Sequence, residues 1–415
     1  MPERSLAPRP PWAGQRILLG VTGGIAAFKA VQLASDLTRL GARVDTVLTE
    51  AAKSFVAPLS FEGVTGQRTY GRLLSTLGSP PHLHLAGLVD AVVVAPATAD
   101  LIARARAGRA DDLLAAILLA TRAPVLLAPA MNERMYTHPQ TQQNLAHCRS
   151  ALGYRVVGPA TGALAAGEGE GPGRMSEPFE IAEHIGRLLA GGGTLSGRRV
   201  LVTAGPTREP LDPVRFVGSR SSGRMGFALA RESWLRGADV TLVTGPSALA
   251  APVGVTTLRV ETAREMLATV ESVIPRADIA FFSAAVADFR PRTTASEKIR
   301  RRESTDPPVL DLKRNPDVAL DTLPLRKEGA IAVGFALETG RMHENAAMKL
   351  REKRFDIVVG NDPGEPGAGF DLPTNRVTLF YGDRDPEPLP LQSKESLAGE
   401  LVDRAVNAAA WNRPP

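Results

Sequence analysis

Short apolar runs recur along the chain and alternate with stretches whose apolar positions repeat at helical spacing. The first half contains "AVVVAPA" and "PVLLAPA", and the second contains "IAFFSAAV", "AIAVGFA" and "FDIVVGND". A run that is apolar on both faces is typical of a parallel strand with helices on both sides of its sheet. The pattern therefore predicts an α/β fold.

Two segments share one strand–turn–helix–strand plan. They are "RILLGVTGGIAAFKAVQLASDLTRLGARVDTVLT" and "RRVLVTAGPTREP…SSGRMGFALARESWLRGADVTLVTGP". The predicted helix of the first has an apolar face at helical spacing and ends at Gly41. That face consists of Ile25, Phe28, Leu33, Leu37 and Leu40. Each half of the chain is therefore expected to be a doubly wound, mainly parallel-sheet, Rossmann-like domain.

The length of 415 residues exceeds one ordinary hydrophobic core and favours two domains. Three glycines in "LLAGGGTLSGRRV" follow a predicted helix and precede a predicted strand, which marks the joint. We expect a disordered tail over residues 1–14, a first domain over 15–190, a linker over 191–196 and a second domain over 197–413.

Composition narrows the function classes. The net charge of +5 is spread over 415 residues, with one dense basic run, "EKIRRRE", so no nucleic-acid partner is expected. The single cysteine, Cys148, excludes an intramolecular disulfide and is expected to be a small buried apolar residue in a helix. Without an apolar run of about 18 residues, no membrane span is predicted, and we expect a cytoplasmic protein.

Candidate chemistry lies in the loops after the apolar runs, because ligands of doubly wound sheets bind beyond the carboxyl ends of the strands. "GVTGGIAAFK" presents Thr22 and a glycine turn at a helix start, which favours phosphate, although its spacing is not GxGxxG. "APATAD" offers hydroxyl and backbone donors. Asn132 in "PAMNERMY" is either a turn residue or a ligand contact.

Taken together, these motifs resemble a known family. "GVTGGIAAFK", "APATADLIA", "PAMNERMY" and "GEGEGPGRM" occur in the order typical of flavin-dependent cysteine decarboxylases. "VTAGPTREPLDPVRFV", "SSGRMGFALA", "AAVADFRP", "EKIRR", "RNPDV" and "VGFALET" resemble phosphopantothenate–cysteine ligases. From about residue 15 to 410 the chain is similar to the bifunctional bacterial enzymes of coenzyme A synthesis, in which the two activities are fused.

For the first domain the resemblance implies a flavodoxin-like flavoprotein with FMN. FMN oxidises the thiol of 4'-phosphopantothenoylcysteine so that CO₂ can leave, and then returns the electrons. His82 is implied as an acid–base group, and Asn132 as the group that binds the substrate carboxylate. The implied FMN-binding residues are Thr22, Gly23, Gly24, Ile25, Thr49, Pro96, Ala97, Thr98 and Met131.

The stretch "GALAAGEGEGPGRM" is by composition a linker, a phosphate loop or a mobile lid. It aligns with the family's substrate clamp, which implies clamp residues at Gly167, Gly173, Arg174 and Met175, with Arg174 contacting an anion. The family's usual cysteine proton donor is replaced by Ala166, and a methyl group cannot donate a proton. Water, Glu168 and Glu170 remain as candidate donors.

Two alternatives to the bifunctional enzyme follow. One is an active ligase with a decarboxylase domain that is impaired or regulatory, because of Ala166. The other is a nicotinamide-linked dehydrogenase, which explains the fold but none of the specific motifs.

For the second domain the resemblance implies ligation through an acyl-cytidylate formed from CTP, with Mg²⁺ and lysines neutralising the phosphates. Lys298 is implied in activation, Asp288 in holding the metal or orienting the nucleotide, and Ser219 replaces the family's asparagine, which converts the acyl-cytidylate. The implied CTP-binding residues are Ser221, Ser222, Gly223, Ala285, Asp288, Lys298, Asn315, Pro316, Asp317, Val318, Phe335, Lys349 and Lys353.

The expected partners are phosphopantothenate, cysteine and CTP. The resemblance also implies a homo-oligomer, with trimers of the decarboxylase domain and dimers of the ligase domain, in an assembly as large as a dodecamer.

Overall fold

The structure is a computed structural model that describes residues 9–73, 81–163, 167, 169–300, 309–338, 340–362, 364–365, 367, 369 and 372–409. The chain divides into two compact units, Met1–Gly191 and Gly192–Pro415. Their boundary falls within the glycine run that the sequence marked as the joint. In the described part of the chain, no helix is both long and apolar enough to cross a membrane.

The first unit is built on one six-stranded sheet whose paired strands are all parallel. Its strands are β1 (Arg16–Val21), β2 (Arg43–Leu48), β3 (Thr69–Tyr70), β4 (Ala91–Ala97), β5 (Val125–Pro129) and β6 (Arg155–Val156). They lie in the order β3-β2-β1-β4-β5-β6, a doubly wound arrangement that reverses direction between β1 and β4. The predicted fold class is confirmed, and the "AVVVAPA" run is β4, buried along its whole length.

A two-stranded antiparallel ribbon follows this sheet, with strands β7 (Ala160–Ala163) and β8 (Glu170–Arg174). The helices of the unit are α1 (Ala27–Arg39), α2 (Pro58–Thr65), α3 (Pro81–Leu88), α4 (Ala99–Arg106), α5 (Leu113–Ala120), α6 (Glu133–Thr137), α7 (Pro139–Ser150) and α8 (Pro178–Leu189). Cys148 lies on α7 and is fully buried, as predicted, and burial raises the pKa of its thiol.

The predicted apolar face of α1 serves two environments: Leu33, Leu37 and Leu40 are buried, whereas Ile25 and Phe28 are 64% and 59% exposed and line the rim of a cavity. One expectation for the first unit is wrong, because the predicted tail is too long. Trp12 is fully buried and its Nε1 donates a hydrogen bond to the carbonyl of Ala182 at 2.9 Å, so residues 9–14 pack onto the unit. Residues 1–8 lie outside the described part of the chain.

The second unit contains an eight-stranded sheet, parallel except at one edge. Its strands are β9 (Arg199–Ala204), β12 (Asp239–Thr244), β13 (Thr256–Arg259), β14 (Ile279–Phe282), β17 (Ile331–Leu337), β18 (Ile357–Asn361), β20 (Thr378–Tyr381) and β21 (Glu387–Pro388). Their order is β13-β12-β9-β14-β17-β18-β20-β21, and β20 pairs antiparallel with both neighbours. Three predicted apolar runs form β14, β17 and β18.

Three small antiparallel ribbons complete the strands of the second unit. They pair β10 (Arg208–Pro210) with β11 (Phe216–Gly218), β15 (Phe289–Pro291) with β16 (Leu312–Arg314), and β19 (Thr374–Asn375) with β22 (Gln392–Ser393). The helices are α9 (Arg224–Leu235), α10 (Ala263–Val273), α11 (Val318–Asp321), α12 (Met342–Glu352) and α13 (Lys394–Ala408). In the predicted linker, Leu195 is buried and its N–H bonds to the carbonyl of Arg236, so this residue packs into the second unit.

Candidate functional site

A cavity of about 1040 Å³ opens at the carboxyl ends of β1, β4 and β5, where the strand order reverses. Ligands of doubly wound sheets bind at this point of the fold. The sequence-predicted residues that line it are Thr22, Gly23, Gly24, Ile25, Thr49, Thr98, Met131, Asn132, Gly173, Arg174 and Met175. The structure therefore brings together the motifs after three different strands and the end of the predicted clamp.

The hydroxyl of Thr22 joins the loops after β1 and β4. It donates to the carbonyl of Pro96 at 2.7 Å and accepts the N–H of Thr98 at 3.2 Å. Thr98 in turn caps α4 by accepting the N–H of Leu101. Pro96 and Ala97 thus belong to the wall behind the cavity lining, with Ala97 fully buried.

Gly23 is required by close approach. A Cβ at this position would lie 2.4 Å from the Cβ of Ala51, whereas at Gly24 the nearest atom would be 3.8 Å away. The turn thereby leaves open space beside Gly24, just before α1 begins at Ala27. Main-chain N–H groups at a helix start bind anions such as phosphate.

Asn132 combines the two roles that the sequence left open. Its Oδ1 accepts the N–H of Arg134 at 2.9 Å and so caps α6, while the residue also lines the cavity. An asparagine side chain has two amide donors as well as its oxygen. With the oxygen committed to the cap, its Nδ2 group is the part available to a ligand.

The predicted clamp is the β7–β8 ribbon, and its second strand is fixed beside the cavity. The N–H of Met131 donates to the carbonyl of Gly173 at 3.0 Å, and a Cβ at Gly173 would lie 2.2 Å from the carbonyl oxygen of Met131. Met175 is buried against the same wall. Gly167 lies away from the described lining, and residues 164–166 and 168, including Ala166, fall outside the described part of the chain.

The predicted anion contact, Arg174, is paired with a carboxylate that the motifs did not identify. Its Nη2 lies 2.6 Å from Oε1 of Glu177, and the same oxygen accepts the Nζ of Lys29 at 2.9 Å. The hydrogen bond from Lys29, together with that from Arg174, lowers the pKa of Glu177. Two cations at the cavity thus share one carboxylate that an incoming anion can replace.

A charged cluster at the far side of the cavity was also missed. The Nε of Arg104 lies 3.0 Å from Oδ2 of Asp100, and its Nη1 lies 3.4 Å from Oδ1 of Asp111 and 2.6 Å from Oδ2 of Asp112. All four side chains line the cavity. Asp112 also caps α5 through the N–H of Ala115. The sequence carried a signal for this cluster in "ARARAGRADDLL", which follows the "APATAD" motif after two intervening residues.

His82 lies on α3 and is not among the residues that line this cavity. Its Nδ1 is buried and has no hydrogen-bond partner within the described residues. The predicted acid–base role of His82 is thus not supported by proximity to the cavity of its own unit, and it stays a prediction.

A second cavity, of about 570 Å³, lies at the carboxyl ends of β14 and β17 in the second unit. Eight predicted residues line it: Asp288, Asn315, Pro316, Asp317, Val318, Phe335, Lys349 and Lys353. Thr203, Phe282, Arg314 and Phe355 line it as well. Thr203 and Arg314 lie within quoted motifs, but none of the four was among the predicted site residues. The "AAVADF", "RNPDV" and "GFALE" motifs therefore meet in one place.

The two lysines predicted to share a helix face do line this cavity together, and each has a counter-ion. The Nζ of Lys353 lies 2.6 Å from Oδ2 of Asp317, and the Nζ of Lys349 lies 3.1 Å from Oε1 of Glu338. Asp317 also caps α11 by accepting the N–H of Leu320. The lysine positions are therefore fixed before any anion arrives.

Asn315 ties its loop to the segment after β14. Its Nδ2 donates to the carbonyl of Ala287 at 2.7 Å, and its N–H donates to the carbonyl of Asp288 at 2.8 Å. The carboxylate of Asp288 is exposed, and no group of three potential metal ligands occurs among the residues described. A magnesium ion bound by one carboxylate needs phosphate oxygens and water for its other ligands.

The remaining predicted residues of the second unit lie outside the lining of this cavity. Ala285 and Gly223 both approach Gly205, which follows β9: the N–H of Ala285 donates to its carbonyl at 2.9 Å, and a Cβ at Gly223 would lie 3.2 Å from its nitrogen. Ser221 accepts the N–H of Gly223, and Ser222 precedes it. Ser219 is exposed beyond β11.

Lys298 is exposed on a loop whose next residue, Ile299, is held by two hydrogen bonds of its main chain. The buried carboxylate of Asp212 accepts the N–H of Ile299 at 3.1 Å, and Arg215 donates to the carbonyl of Ile299. Arg215 itself bonds to Asp212, with Nη2 2.6 Å from Oδ2. One ion pair in the "LDPVRF" motif therefore holds both main-chain groups of the residue after Lys298.

The hydrogen bonds to the carboxylate of Asp212 make the contribution of this residue to folding stability depend on pH. Burial alone would raise the pKa of Asp212, but hydrogen bonds from the N–H groups of Val214, Ile299 and Arg215 and from the Arg215 guanidinium lower it well below its usual range. A carboxylate with a depressed pKa stabilises the folded state above its unfolded pKa of about 4 and loses that contribution as pH falls toward its folded pKa.

We expect Asp212→Asn to lower the unfolding midpoint near neutral pH, with a gap from the unsubstituted protein that shrinks as pH falls below about 4. Thermal unfolding of both proteins across this pH range measures the gap, with Asp239→Asn, at the exposed start of β12, as control. A gap that is the same at all pH values would contradict the role given to the carboxylate.

Two family descriptions match the chain. "Flavoprotein" matches residues 9–190, and "DNA/pantothenate metabolism flavoprotein C-terminal domain" matches residues 195–408.

Curated relatives match along nearly the whole length. The coenzyme A biosynthesis bifunctional protein CoaBC of Vibrio cholerae is 44% identical over 392 residues, covering 94% of this chain and 97% of that protein. The protein of the same description from Escherichia coli strain K12 is 42% identical, with 95% and 97% covered. That from Mycobacterium tuberculosis is 43% identical, again with 95% and 97% covered.

Solved structures match one half each. The C-terminal domain of CoaBC is 37% identical, with 52% of this chain and 97% of that chain covered and a TM-score of 0.44. The FMN-dependent cysteine decarboxylase SpaF is 32% identical, with 43% and 97% covered and a TM-score of 0.37.

Proposed function

The chain belongs to the family of coenzyme A biosynthesis bifunctional proteins, and from this premise we propose how its two cavities divide the chemistry. It is a flavoprotein that acts in coenzyme A biosynthesis as a decarboxylase and a ligase. The first unit carries FMN and decarboxylates 4'-phosphopantothenoylcysteine to 4'-phosphopantetheine. The second unit joins 4'-phosphopantothenate to cysteine at the expense of CTP.

The residues of the first cavity fit FMN. The turn at Gly23 and Gly24 presents main-chain N–H groups at the start of α1 to a phosphate. Thr98 adds a hydroxyl donor, whereas the hydroxyl hydrogen of Thr22 is already donated to Pro96, so Thr22 instead fixes the loop that carries Thr98. Exposed apolar side chains at the rim, Phe28 and Met135, suit the flat ring of a flavin. When bound, FMN supplies a reversible two-electron acceptor for the substrate thiol.

The chain's own groups bind and orient the substrate there. The Nδ2 of Asn132 donates to the carboxylate that is lost, because its oxygen is already committed to the helix cap. Arg174 exchanges its partner Glu177 for an anionic group of the substrate, while Lys29 keeps the carboxylate of Glu177 occupied. Strand β8, held beside the cavity by the hydrogen bond from Met131 to Gly173, limits the access of water from that side.

In the second cavity, a carboxylate oxygen of phosphopantothenate attacks the α-phosphorus of CTP as the bond to pyrophosphate breaks. The amine of cysteine then attacks the acyl carbon of the resulting acyl-cytidylate, CMP leaves, and the amine loses a proton. Lys349 and Lys353 bind phosphate oxygens and Phe335 contacts the nucleotide. Asp288 would be the protein ligand of a magnesium ion, which would neutralise phosphate charge. Lys298 lies outside the described lining of this cavity, and its role of neutralising charge at the reacting phosphorus is proposed from the family motif alone.

The comparisons do not support the alternative of a ligase with an impaired decarboxylase. The matches extend over both units, and the relatives are named as bifunctional. The cytoplasmic location, the trimers and dimers, and the proton donor that replaces cysteine at residue 166 stay predictions.

The observation that best supports a decarboxylase site in the first unit and a ligase site in the second is the set of residues that line the two cavities. One assay tests both activities. The purified full-length chain is incubated with 4'-phosphopantothenate, cysteine and CTP, and CMP, pyrophosphate and CO₂ are measured separately. Equal amounts of CMP and CO₂ are expected once the intermediate has been consumed. CMP without CO₂ would contradict decarboxylation, and no CMP would contradict the ligase.

Substitution of Gly23 tests the flavin site. We expect Gly23→Ala to lower the flavin content of the purified protein, because the added Cβ would overlap Ala51 and displace the turn that receives the phosphate. Visible absorbance after purification measures bound flavin. Gly63→Ala, on α2 with open space around it, is the matched control, and equal flavin loss in both variants would contradict the assignment.

A further inference from the structure

Arg326 packs against the wall of the second cavity at a position that no motif identifies. Its guanidinium carbon lies 5.1 Å from the ring centroid of Phe282 and 5.4 Å from that of Phe355. Both rings line the cavity, and their centroids are 5.7 Å apart. A guanidinium at such distances is attracted to the faces of aromatic rings and holds them in place.

The same guanidinium bonds two helices that border the cavity. Its Nη1 donates to the carbonyls of Lys353 at 2.9 Å and Arg354 at 3.1 Å, and its Nη2 donates to the carbonyl of Ala319 at 2.7 Å. Lys353 and Ala319 both line the cavity. One planar group therefore fixes the end of α12 relative to α11.

The end of α12 needs this support. The last carbonyls of a helix have no partner within it, and a cation near them is favourable. Arg354 has a φ of +45°, a left-handed conformation that is strained for a residue with a side chain. By holding the carbonyls on both sides of this turn, Arg326 sets where Lys353 leaves the helix and meets Asp317.

Within the described part of the chain, the three groups that accept hydrogen bonds from Arg326 are all main-chain carbonyls and not carboxylates. Burial lowers the pKa of Arg326 to about 10, with Asp356 and Asp317 acting in the opposite direction. The group is therefore charged at neutral pH. An arginine fork with three fixed acceptors is not replaceable by the single ammonium of lysine.

We propose that Arg326 is a positioning residue for the nucleotide: it holds Lys353 and the aromatic wall in the arrangement that receives the triphosphate. The inference rests on the proposed CTP-dependent ligation in the second unit. It concerns binding of CTP, whereas binding of cysteine and the reaction of the first unit are independent of it.

The test compares two arginines of the second unit. Arg236 also donates to a main-chain carbonyl, that of Gly399 at 3.1 Å, but joins α9 to α13 and does not line the cavity. In the full-length chain, Arg326→Met is expected to raise the KM for CTP by about tenfold, as loss of charged hydrogen bonds allows. Arg236→Met should leave the KM for CTP unchanged, whatever its effect on thermal stability.

Arg326→Lys keeps the positive charge but removes the guanidinium fork, so it tests whether the three hydrogen bonds matter. This variant also provides the measurement if Arg326→Met does not fold. Its KM for CTP is expected to stay closer to that of Arg326→Met than to that of the unsubstituted chain, with the KM for cysteine unchanged. CO₂ release from added 4'-phosphopantothenoylcysteine should be normal in all variants. A normal KM for CTP in Arg326→Lys, or equal increases in the Arg326 and Arg236 methionine variants, would overturn the inference. Failure of the unsubstituted chain to use CTP would instead overturn the proposed function.

Discussion

Replacing Asn132 by aspartate is expected to lower CO₂ release from 4'-phosphopantothenoylcysteine by about 100-fold, the usual cost of losing one oriented donor in an active site. Aspartate caps helices as well as asparagine does, so its Oδ1 can still accept the N–H of Arg134 and α6 should be kept. The substitution replaces the Nδ2 donor by a negative oxygen that repels the substrate carboxylate. Single-turnover CO₂ release measures the effect.

The same chain supplies the control for this variant. CMP formation from phosphopantothenate, cysteine and CTP should be unchanged, because the second cavity is lined by other residues. Asn132→Ser, which also caps, is expected to lose activity without adding charge repulsion. If Asn132→Asp releases CO₂ at the normal rate, Asn132 is only a cap.

Replacing Lys298 by methionine is expected to lower CMP formation by about 100-fold, since a cation aimed at charge that develops in the transition state contributes about this much. Lys298 is exposed, and its loop is clamped to Asp212 through Ile299, so methionine should leave the fold intact. Quantifying CMP and pyrophosphate under saturating substrates measures the loss.

Glu297→Gln, on the same loop, is the matched control and should change CMP formation little. Decarboxylation of added 4'-phosphopantothenoylcysteine should be normal in both variants. Equal losses in the two variants would show that the loop as a whole, and not the Lys298 ammonium, matters.

The apolar runs predicted the sheets because a buried parallel strand has no polar face. They also predicted which loops meet, because the carboxyl ends of parallel strands share one edge. Asp288 and Phe335 therefore come together as expected, whereas Asn315 follows the antiparallel strand β16 and is held there by its hydrogen bond to the carbonyl of Ala287. The apolar runs do not predict the order of the strands in each sheet or the size of each cavity, because both depend on how separate segments pack together.

Partners far apart in the sequence could not be predicted. Glu177 pairs with Lys29 148 residues away, Asp212 holds Ile299 87 residues away, and nothing near either residue marks the contact. Helical spacing predicted the apolar face that contains Phe28, but periodicity does not distinguish a core side chain from one at a cavity rim. The proline-rich composition predicted disorder for residues 9–14 as well, but the buried side chain of Trp12 and its hydrogen bond to Ala182 hold this segment on the first unit.

We propose that one chain holds two active sites that act in sequence. Mixing the Asn132→Asp and Lys298→Met proteins tests it, with phosphopantothenate, cysteine and CTP supplied and CO₂ measured. Each variant alone should release little CO₂, and the mixture should recover a large part of the normal rate, because the ligated intermediate made by one chain reaches the other. If the mixture releases no more CO₂ than the sum of the two variants measured alone, the two sites do not act in sequence on a released intermediate.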